Sequence, residues 1–435
     1  MNGRTFPLFQ RCLLVLIATA SLIGLVGCGP SGYQPIDESK VLFWDRQTTE
    51  TADLLRDIIA EFNAQHPGLP VEAQYSGGYS DIFRKVSSSI QARRLPAMAV
   101  AYESMTIEYA QAGAIVELDP FVADPEIGLD ADDLADFFPV VLDTNRYVDA
   151  GDKMLSFPFC KSVLMMYYNR TVLGEAGLDA PPATWDEFLA QCRAVKAATG
   201  KTPAAVDVDA STVDGMIYSM GGDVVRDGKT LFDTPESLAV FALYETLAKE
   251  KLCYQIPPGS YDDRDAFAQD EIAFFFRSSS HRTYVADAMG LTDRWGMARI
   301  PQADPAQPRT VLYGPNVCIF RTNPEQERRA WEFVKHFTSP EVNVRWALNS
   351  GYLPIRRSAA RDPRIQEFWA EWPDNRASYD CLEFARSEPN IAGWQEVRDL
   401  IETAVTGVLT GERTAEAAVQ ELKTKADAVI SGYLP

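Results

Sequence analysis

The chain has 435 residues, 46% of them hydrophobic, and its 61 acidic residues outnumber 41 basic ones to give a net charge of −20. This composition is typical of a globular protein and excludes an intrinsically disordered one. The negative charge and the lack of a basic patch with interleaved aromatic residues exclude a nucleic-acid partner. The length is enough for about two large domains.

Residues 1–27 have the pattern of a secretory signal. They contain two arginines, no acidic residue and an apolar stretch from Leu13 to Leu25, which is too short to span a bilayer comfortably. The stretch ends in Leu25-Val26-Gly27-Cys28, and this ending resembles the bacterial lipobox. The resemblance implies that residues 1–27 are a lipoprotein signal peptide and that a lipidated Cys28 begins the mature protein.

The mature protein is therefore expected to lie outside the cytoplasm, in the periplasm or at the cell surface, anchored to a membrane by the lipid on Cys28. No second apolar run is long enough to span a membrane. Residues 28–39 are rich in Gly, Pro and Ser, which predicts a flexible tether.

The first part of the mature chain predicts an alternation of strands and amphipathic helices, which is typical of an α/β layer with a mostly parallel sheet. Apolar runs predict strands, and stripes of apolar residues with helical spacing predict helices. The predicted strands are Lys40–Trp44, Val71–Tyr75 and Ala97–Tyr102, and the predicted helices are Thr51–Gln65, Ser80–Ala92 and Ser104–Ala112.

The stretch Met154–Arg170 predicts a passage between two packed units. Pro158 forces the preceding residue into an extended conformation, and the apolar run Val163–Tyr168 predicts a strand buried on both faces. Cys160 and Lys161 lie between these two features. The alternative is an ordinary core strand with a proline at its start.

The later elements continue the α/β pattern. Thr184 and Glu187 form a predicted capping box for a helix that ends near Thr199. Beyond this helix the sequence predicts a hairpin over Val224–Phe232, strands over Ile272–Phe276 and Val311–Phe320, helices over Pro324–Phe337 and Pro340–Asn349, and further helices over Pro363–Ser431.

Five cysteines remain beyond Cys28, and their odd number and irregular spacing favour free thiols over a disulfide framework or a zinc ribbon. They are Cys160, Cys192, Cys253, Cys318 and Cys381. One disulfide stays open as an alternative. No metal site and no cofactor are predicted.

Met154–Arg170 resembles the lobe-crossing segment of extracellular solute-binding proteins of ABC importers (family 1), which bind sugars and glycerol phosphates. The shared features are a Pro-Phe pair, a Ser and a Tyr-Tyr-Asn ending. Gly351–Ile355 resembles the late hinge motif of that family, and Thr410-Gly411 with the helix Thr414–Ile430 resembles its carboxy-terminal pattern. The resemblance implies an α/β, two-lobe periplasmic-binding-protein-like fold (type II), with the ligand cleft between the lobes.

The resemblance also implies how the chain is divided and what it binds. Lobe one is expected over 40–154 plus 303–351, and lobe two over 155–302 plus 352–435. The expected partners are a small-molecule ligand and the permease subunits of an ABC importer with its cytoplasmic ATPase, and the protein itself is expected to be a monomer.

The branch that binds glycerol 3-phosphate offers the most detailed match. Its ligand-binding residue types occur here in the same order, as Tyr79, Glu103, Ser162, Ser278 or Ser279, Gly314, Tyr352 and Arg386. The resemblance implies that Glu103 accepts hydrogen bonds from ligand hydroxyls, that the two tyrosines cover the ligand, and that Arg386 binds a phosphate.

One departure from that branch bears on the ligand. Its members place a tryptophan in the region of Ala204–Tyr218, but this chain has Asp207, Asp209, Ser211 and Thr212 there instead. The expected ligand is a small polyol phosphate, either glycerol 3-phosphate or a glycerophosphodiester. The alternatives are a neutral mono- or oligosaccharide and, from another class, a secreted lipid-anchored glycoside or phosphodiester hydrolase. Neither a Gly-x-Ser-x-Gly elbow nor a His-Glu-x-x-His motif of a hydrolase occurs in the sequence, whereas the 61 acidic residues leave a catalytic pair of carboxylates open.

Overall fold

The computed structural model describes residues 32–257 and 259–433. The predicted signal peptide and the predicted lipidation site Cys28 lie outside these residues. In the described part of the chain, no helix has both the length and the apolar character needed to cross a membrane.

The strands of the described residues alternate with helices along the chain. In chain order the strands are β1 Gln34–Pro35, β2 Val41–Asp45, β3 Val71–Tyr75, β4 Arg94–Leu95, β5 Met98–Ala101, β6 Arg146–Tyr147, β7 Lys153–Met154, β8 Phe157–Pro158, β9 Ser162–Asn169, β10 Ala204–Val206, β11 Val225–Arg226, β12 Lys229–Thr230, β13 Cys253–Gln255, β14 Phe274–Ser278, β15 Trp295–Arg299, β16 Thr310–Tyr313, β17 Asn316–Ile319 and β18 Ala385–Arg386.

The helices of the same residues are α1 Thr49–Gln65, α2 Tyr79–Gln91, α3 Glu103–Gln111, α4 Asp119–Val122, α5 Ala131–Ala135, α6 Pro139–Asp143, α7 Arg170–Glu175, α8 Trp185–Thr199, α9 Ala210–Ser219, α10 Pro235–Lys249, α11 Asp262–Ala268, α12 Arg282–Met289, α13 Pro324–Phe337, α14 Pro340–Ser350, α15 Arg357–Ala360, α16 Pro363–Glu371, α17 Pro373–Asp380, α18 Trp394–Leu409 and α19 Ala415–Tyr433. Short 3-10 helices span Val148–Ala150, Ser279–His281 and Cys381–Glu383.

Two sheets organise the fold, and each is the centre of one lobe. The five-stranded sheet of lobe one has the order β3-β2-β5-β17-β8, in which β2 is parallel to β3 and to β5. The seven-stranded sheet of lobe two has the order β13-β10-β14-β9-β16-β18, and β15 also pairs with β9. Strand β9 is buried along its whole length, as the apolar run predicted.

Local sequence accounts for several element ends. Thr184 and Glu187 form the predicted capping box of α8, in which each side chain accepts a backbone N–H, and Gly200 ends the helix in the left-handed conformation. Strands β11 and β12 form the predicted hairpin over Val224–Phe232. The five cysteines of the described chain are free thiols, as their spacing predicted.

The first passage between the lobes includes Cys160 and Lys161, as the motif predicted, but the predicted end of lobe one at residue 154 is too early. Phe157–Pro158 still belongs to the sheet of lobe one, and the sheet of lobe two begins at Ser162, so the first passage is at residues 159–161 and not at 154. Thr310–Tyr313 pairs with β9 in lobe two, whereas Asn316–Ile319 pairs with β5 in lobe one. The second passage is therefore at Gly314-Pro315, and the predicted boundary at 303 is wrong.

The break at Gly314 explains why the predicted strand Val311–Phe320 is two strands. Gly314 has a φ of 100°, and Pro315 lacks the N–H that a ladder needs. A Cβ on Gly314 would lie 1.9 Å from the carbonyl oxygen of Cys160. The first two passages thus run in backbone contact, and only glycine fits at this position.

The third passage also differs from the prediction, which placed all residues from 352 onwards in lobe two. Helices α15 and α16 pack against α14 of lobe one through an apolar cluster that includes Val344, Ala359 and Trp369. Helix α17 packs instead against β15 of lobe two. The chain therefore changes lobes between α16 and α17.

The predicted flexible tether is partly fixed on lobe one. Strand β1 pairs in parallel with β4, and the guanidinium of Arg94 donates to the carbonyl oxygens of Pro35 (3.3 Å) and Ile36 (2.8 Å). The amide of Gln326 donates to the carbonyl oxygens of Asp37 and Lys40 at 2.6 and 2.9 Å. These hydrogen bonds hold residues 34–40, so the prediction of a free tether up to residue 39 is wrong for that part.

Candidate ligand-binding cleft

A cleft with a cavity volume of about 330 Å³ lies between the two lobes. Lobe one contributes residues that follow β2 and β5, and lobe two contributes residues in the loop after β10 and at the carboxyl ends of β14 and β16. Ligands of open α/β sheets bind beyond the carboxyl ends of the strands, which is where these residues lie. The lining is rich in hydroxyl groups and has two arginines and two aspartates.

Three serine hydroxyls meet in the cleft. The Oγ of Ser278 donates to the Oγ of Ser162 at 2.7 Å and lies 2.8 Å from the Oγ of Ser280. Ser162 begins β9 at the first passage, and Ser278 ends β14, so the pairing of these two strands fixes the arrangement. Gly314 lines the cleft from the second passage, and Tyr352, which follows α14, also lines it. The cleft thus has a group of hydrogen-bond donors next to the hinge.

Arg46 follows β2 and provides a cation on the lobe-one side. Its guanidinium lies 4.7 Å from the centre of the Tyr79 ring, and Nη1 donates to the Tyr79 hydroxyl at 3.5 Å. Burial raises the pKa of Tyr79, so this phenol stays neutral. Among the described residues, no carboxylate lies within ion-pair distance of Arg46, and its charge is available to a ligand.

The second arginine of the cleft is neutralised by its neighbours. Arg277 donates through Nη1 to Asp207 and through Nε to Asp263 Oδ2, the latter at 2.8 Å. Asp263 is fully buried, whereas Asp207 lines the cleft. Burial raises the pKa of Asp207 to about 6 against the opposing effect of Arg277.

Asp209 connects the cleft to a contact between the lobes. Its Oδ2 accepts hydrogen bonds from the Tyr313 hydroxyl (3.0 Å) and from the Thr212 backbone and hydroxyl (3.0 and 3.1 Å). Its Oδ1 accepts from Arg398 Nη2 at 3.3 Å. Arg398 in turn lies 5.0 Å from the centre of the Tyr102 ring, which belongs to lobe one. This cation–π contact joins the two lobes.

Aromatic rings form one wall of the cleft on lobe two. The wall is a cluster of three rings, in which the centre of the His281 ring lies 6.0 Å from that of Tyr261 and 5.3 Å from that of Tyr284, and the two tyrosine rings are also 5.3 Å apart. Burial lowers the pKa of His281 to about 3, so the imidazole is neutral at physiological pH. The neutral imidazole therefore adds no positive charge to this wall, and a cation near it is Arg264, whose guanidinium lies 5.5 Å from the centre of the Tyr261 ring.

The structure brings together five of the residues that the resemblance singled out. Tyr79, Ser162, Ser278, Gly314 and Tyr352 all line the cleft. Of the two serines that the sequence left open, Ser278 lines the cleft, whereas Ser279 is buried and its Oγ accepts a hydrogen bond from the Val163 backbone N–H at 3.2 Å.

Glu103 follows β5 but does not line the cleft. It is the first residue of α3, and its Oε1 accepts hydrogen bonds from Lys161 Nζ (3.3 Å) and Asn316 Nδ2 (2.9 Å). Lys161 is 1% exposed and also donates to the carbonyl oxygen of Gly314 at 2.9 Å. The carboxylate is therefore bound to the first two passages and is not part of the cleft lining.

Arg386 also lies outside the cleft lining. It ends β18 at the edge of the second sheet, and its guanidinium is 3.7 Å from Asp223 and 5.4 Å from the centre of the Tyr218 ring. Arg46 and Arg277 are the arginines of the cleft, and sequence reasoning missed both. The signal that could have found them is their position at the carboxyl ends of β2 and β14.

The polar stretch that replaces the family's tryptophan does reach the cleft. Asp207, Asp209 and Thr212 line it, as the sequence suggested, and Ser211 is buried against Arg398 at 2.8 Å. Among the described residues, no group of three His, Cys, Asp or Glu side chains is arranged to hold a metal ion.

Two lobes with a polar, hydroxyl-lined cleft between them, beside the first two chain passages, are typical of a protein that binds a small solute. Residues 57–377 match the family model for the bacterial extracellular solute-binding protein. The chain belongs to this family, whose members lie outside the cytoplasm and serve the permeases of ABC importers, and it is the solute-binding component of such an importer.

Individual relatives are similar along nearly the whole chain. The sn-glycerol-3-phosphate-binding periplasmic protein UgpB of Brucella suis biovar 1 (strain 1330) is 22% identical over 439 residues, which cover 96% of this chain and 98% of the relative. UgpB of Mycobacterium tuberculosis, solved in complex with glycerophosphocholine, has a TM-score of 0.81 at 18% identity and covers 91% of this chain and 99% of its own.

A sugar-binding structure is almost equally similar. The cyclic alpha-maltosyl-1,6-maltose binding protein of Arthrobacter globiformis has a TM-score of 0.77 at 21% identity, with 90% of this chain and 99% of its own covered. These structures confirm the predicted two-lobe α/β fold. The relatives are binding proteins of transporters and not enzymes.

Proposed function

We propose that this protein captures a small phosphorylated polyol, either glycerol 3-phosphate or a glycerophosphodiester, and delivers it to its ABC permease. The observation that carries the proposal is Arg46 in the cleft, whose guanidinium has no carboxylate within ion-pair distance in the described part of the chain. A guanidinium offers planar, charge-assisted hydrogen bonds that match a phosphate group. The hydroxyls of Ser162, Ser278 and Ser280 are further donors within the same cavity.

The size of the cleft supports a small ligand. Ligand pockets of proteins measure about 300–1,000 Å³, and the 330 Å³ of this cleft lie at the lower end of that range. A three-carbon polyol with one phosphate fits this volume better than an oligosaccharide. The net charge of −20 does not oppose an anionic ligand at contact distance, since fields beyond about 8 Å are screened at physiological ionic strength.

Arg46 replaces Arg386 as the proposed phosphate anchor. The resemblance favoured Arg386, but that guanidinium interacts with Asp223 and Tyr218 and does not line the cleft. Tyr79 supports Arg46 by orienting its guanidinium, because the ring contact and the hydroxyl hydrogen bond fix two sides of it.

A neutral sugar is the second candidate ligand. The acceptor oxygens of Asp207 and Asp209 and the ring faces of Tyr261 and Tyr284 favour it, because sugars combine many hydroxyl donors with apolar ring faces. The similarity to the maltosyl-maltose binding protein points in the same direction.

Ligand capture is proposed to proceed by closure of the lobes. A ligand that contacts Arg46 of lobe one and the serines of lobe two binds the closed form better than the open form, and this difference in affinity shifts the population. We further propose that the protein is a monomer whose lipidated Cys28 keeps it at the membrane that holds the permease.

Isothermal titration calorimetry with glycerol 3-phosphate, glycerophosphocholine, maltose and trehalose tests the proposal. We expect heat of binding from the two phosphate compounds and none from the two sugars. Binding of maltose or trehalose together with no binding of either phosphate compound would replace the phosphorylated polyol by the neutral sugar. Hydrolysis of any of the four compounds would instead support the enzyme alternative.

A further inference from the structure

Lobe two carries a rigid donor–acceptor pair in the cleft. Arg277 comes from the end of β14 and Asp207 from the loop after β10, two strands that pair in parallel. The guanidinium of Arg277 is held from two sides, by Asp207 Oδ2 in the cleft and by the buried Asp263 Oδ2 below it. Two carboxylates around one guanidinium fix its orientation and cancel its positive charge.

Both members of the pair keep one hydrogen-bonding atom for a ligand. Among the described residues, Asp207 Oδ1 accepts no hydrogen bond and Arg277 Nη2 donates none, since their contacts use Oδ2, Nη1 and Nε. The side chains of Asp207 and Arg277 are 23% and 20% exposed, and both line the cavity. The ion pair therefore offers a ligand one hydrogen-bond acceptor, Asp207 Oδ1, and one hydrogen-bond donor, Arg277 Nη2.

We propose that Asp207 and Arg277 together recognise two neighbouring hydroxyl groups of the ligand, and so select its diol end. One hydroxyl donates to Asp207 Oδ1, and the next accepts from Arg277 Nη2. This inference rests on the proposed function, and it assigns the two ends of the phosphorylated polyol to different lobes. The phosphate contacts Arg46 of lobe one, and the diol contacts the Asp207–Arg277 pair of lobe two.

The charges around the pair explain why the phosphate does not bind there. Asp207, Asp209 and Asp263 surround Arg277, so this side of the cleft carries more negative than positive charge. A phosphate next to three carboxylates would be repelled, whereas a hydroxyl is not. Arg46, in contrast, has no carboxylate within ion-pair distance among the described residues. The two arginines of the cleft thus differ in function because their partners differ.

The test compares glycerol 3-phosphate with 1,3-propanediol monophosphate, which keeps the phosphate but lacks one of the two neighbouring hydroxyls. Calorimetry on the full-length mature protein gives the ratio of the two dissociation constants. For the wild type we expect glycerol 3-phosphate to bind about 10- to 100-fold more tightly, the effect of one hydrogen bond to a charged group. Asp207→Ala is expected to bring this ratio close to 1.

Two further variants make the comparison specific. Asp207→Asn keeps an acceptor oxygen and is expected to retain part of the preference. Asp374→Ala breaks the Arg170–Asp374 ion pair, which lies outside the cleft, and is expected to leave the ratio unchanged. Because Asp207 is partly exposed, its replacement leaves the buried Asp263 paired with Arg277, so the variant is expected to fold.

The outcomes separate this inference from the proposed function. An unchanged ratio in Asp207→Ala, in a protein that binds glycerol 3-phosphate, would overturn the diol inference and leave the phosphate proposal standing. If the wild type binds maltose and neither phosphate compound, the proposed function fails, and a loss of at least 10-fold in maltose affinity with Asp207→Ala would still support recognition of neighbouring hydroxyls. If the wild type binds maltose and neither phosphate compound, and Asp207→Ala leaves the maltose affinity unchanged, both the proposed function and the diol inference are overturned.

Discussion

Replacement of Arg46 by methionine is expected to abolish tight binding of glycerol 3-phosphate. Methionine keeps an unbranched apolar side chain for contact with Tyr79 but removes the charge and the donors. Hydrogen bonds to a charged group contribute about 1.5–3 kcal/mol each, so the loss of two such bonds from one guanidinium costs about 3 kcal/mol or more. Since about 1.4 kcal/mol corresponds to a tenfold change, affinity should fall by at least about 100-fold.

Arg386→Met is the matched control, because this arginine also contacts an aromatic ring but lies outside the cleft lining. Calorimetry should give wild-type affinity for this control, and an intermediate affinity for Arg46→Lys, which keeps the charge and loses the planar fork. Thermal unfolding of each variant excludes a folding defect. Wild-type affinity in Arg46→Met with a 100-fold loss in Arg386→Met would refute the reasoning and restore the anchor that the resemblance favoured.

Three further predictions concern the hinge, the pH dependence and the anchor. Gly314→Ala should lower the free energy of unfolding by more than about 3 kcal/mol, because the new Cβ would overlap the carbonyl oxygen of Cys160. Gly411→Ala is the control, since open space surrounds it and only its positive φ should cost about 1–2 kcal/mol. Equal losses of the two variants in chemical denaturation would contradict this prediction. Affinity for glycerophosphocholine, whose diester does not titrate, should fall as pH drops from 7 to 5, because Asp207, whose pKa burial raises to about 6, becomes protonated and releases Arg277. Burial also raises the pKa of Asp45, the neighbour of Arg46, to about 6, so calorimetry on Asp207→Asn should show a shallower slope and not a flat profile. A slope equal to that of the wild type would assign the effect to another group. The wild type should partition into the detergent phase and Cys28→Ser into the aqueous phase, and a Cys28→Ser variant that still partitions as a lipoprotein would exclude lipidation.

The sequence predicted the parts of the fold that depend on local patterns. The proline and the apolar run around β9 identified a passage between packed units, and the capping box of α8 and the hairpin β11–β12 were recognised from short-range chemistry. The second passage was misplaced, because Val311–Phe320 is apolar on both sides of Gly314-Pro315 and only the pairing with β9 or β5 separates the two strands.

The cleft was predicted only in part, because the sequence marks the chain passages but not the contacts between distant residues. The resemblance identified residues beside the chain passages, such as Ser162, Gly314 and Tyr352, because the passages carry recognisable glycines, prolines and aromatic residues. It could not show that Lys161 covers Glu103, since that contact joins residues 58 positions apart. A charged residue at a strand end, such as Arg46, looks the same in a sequence whether water or a ligand covers it.

Small-angle X-ray scattering of the mature protein, with and without saturating ligand, tests the account most directly. If the two lobes close on a phosphorylated polyol held between Arg46 and the residues of lobe two, glycerol 3-phosphate should reduce the radius of gyration of the wild type, whereas maltose should leave it unchanged. The same titration with Arg46→Met should show no compaction at the concentration that saturates the wild type. An unchanged radius in the wild type at saturation with glycerol 3-phosphate, or compaction with maltose alone, would contradict the account.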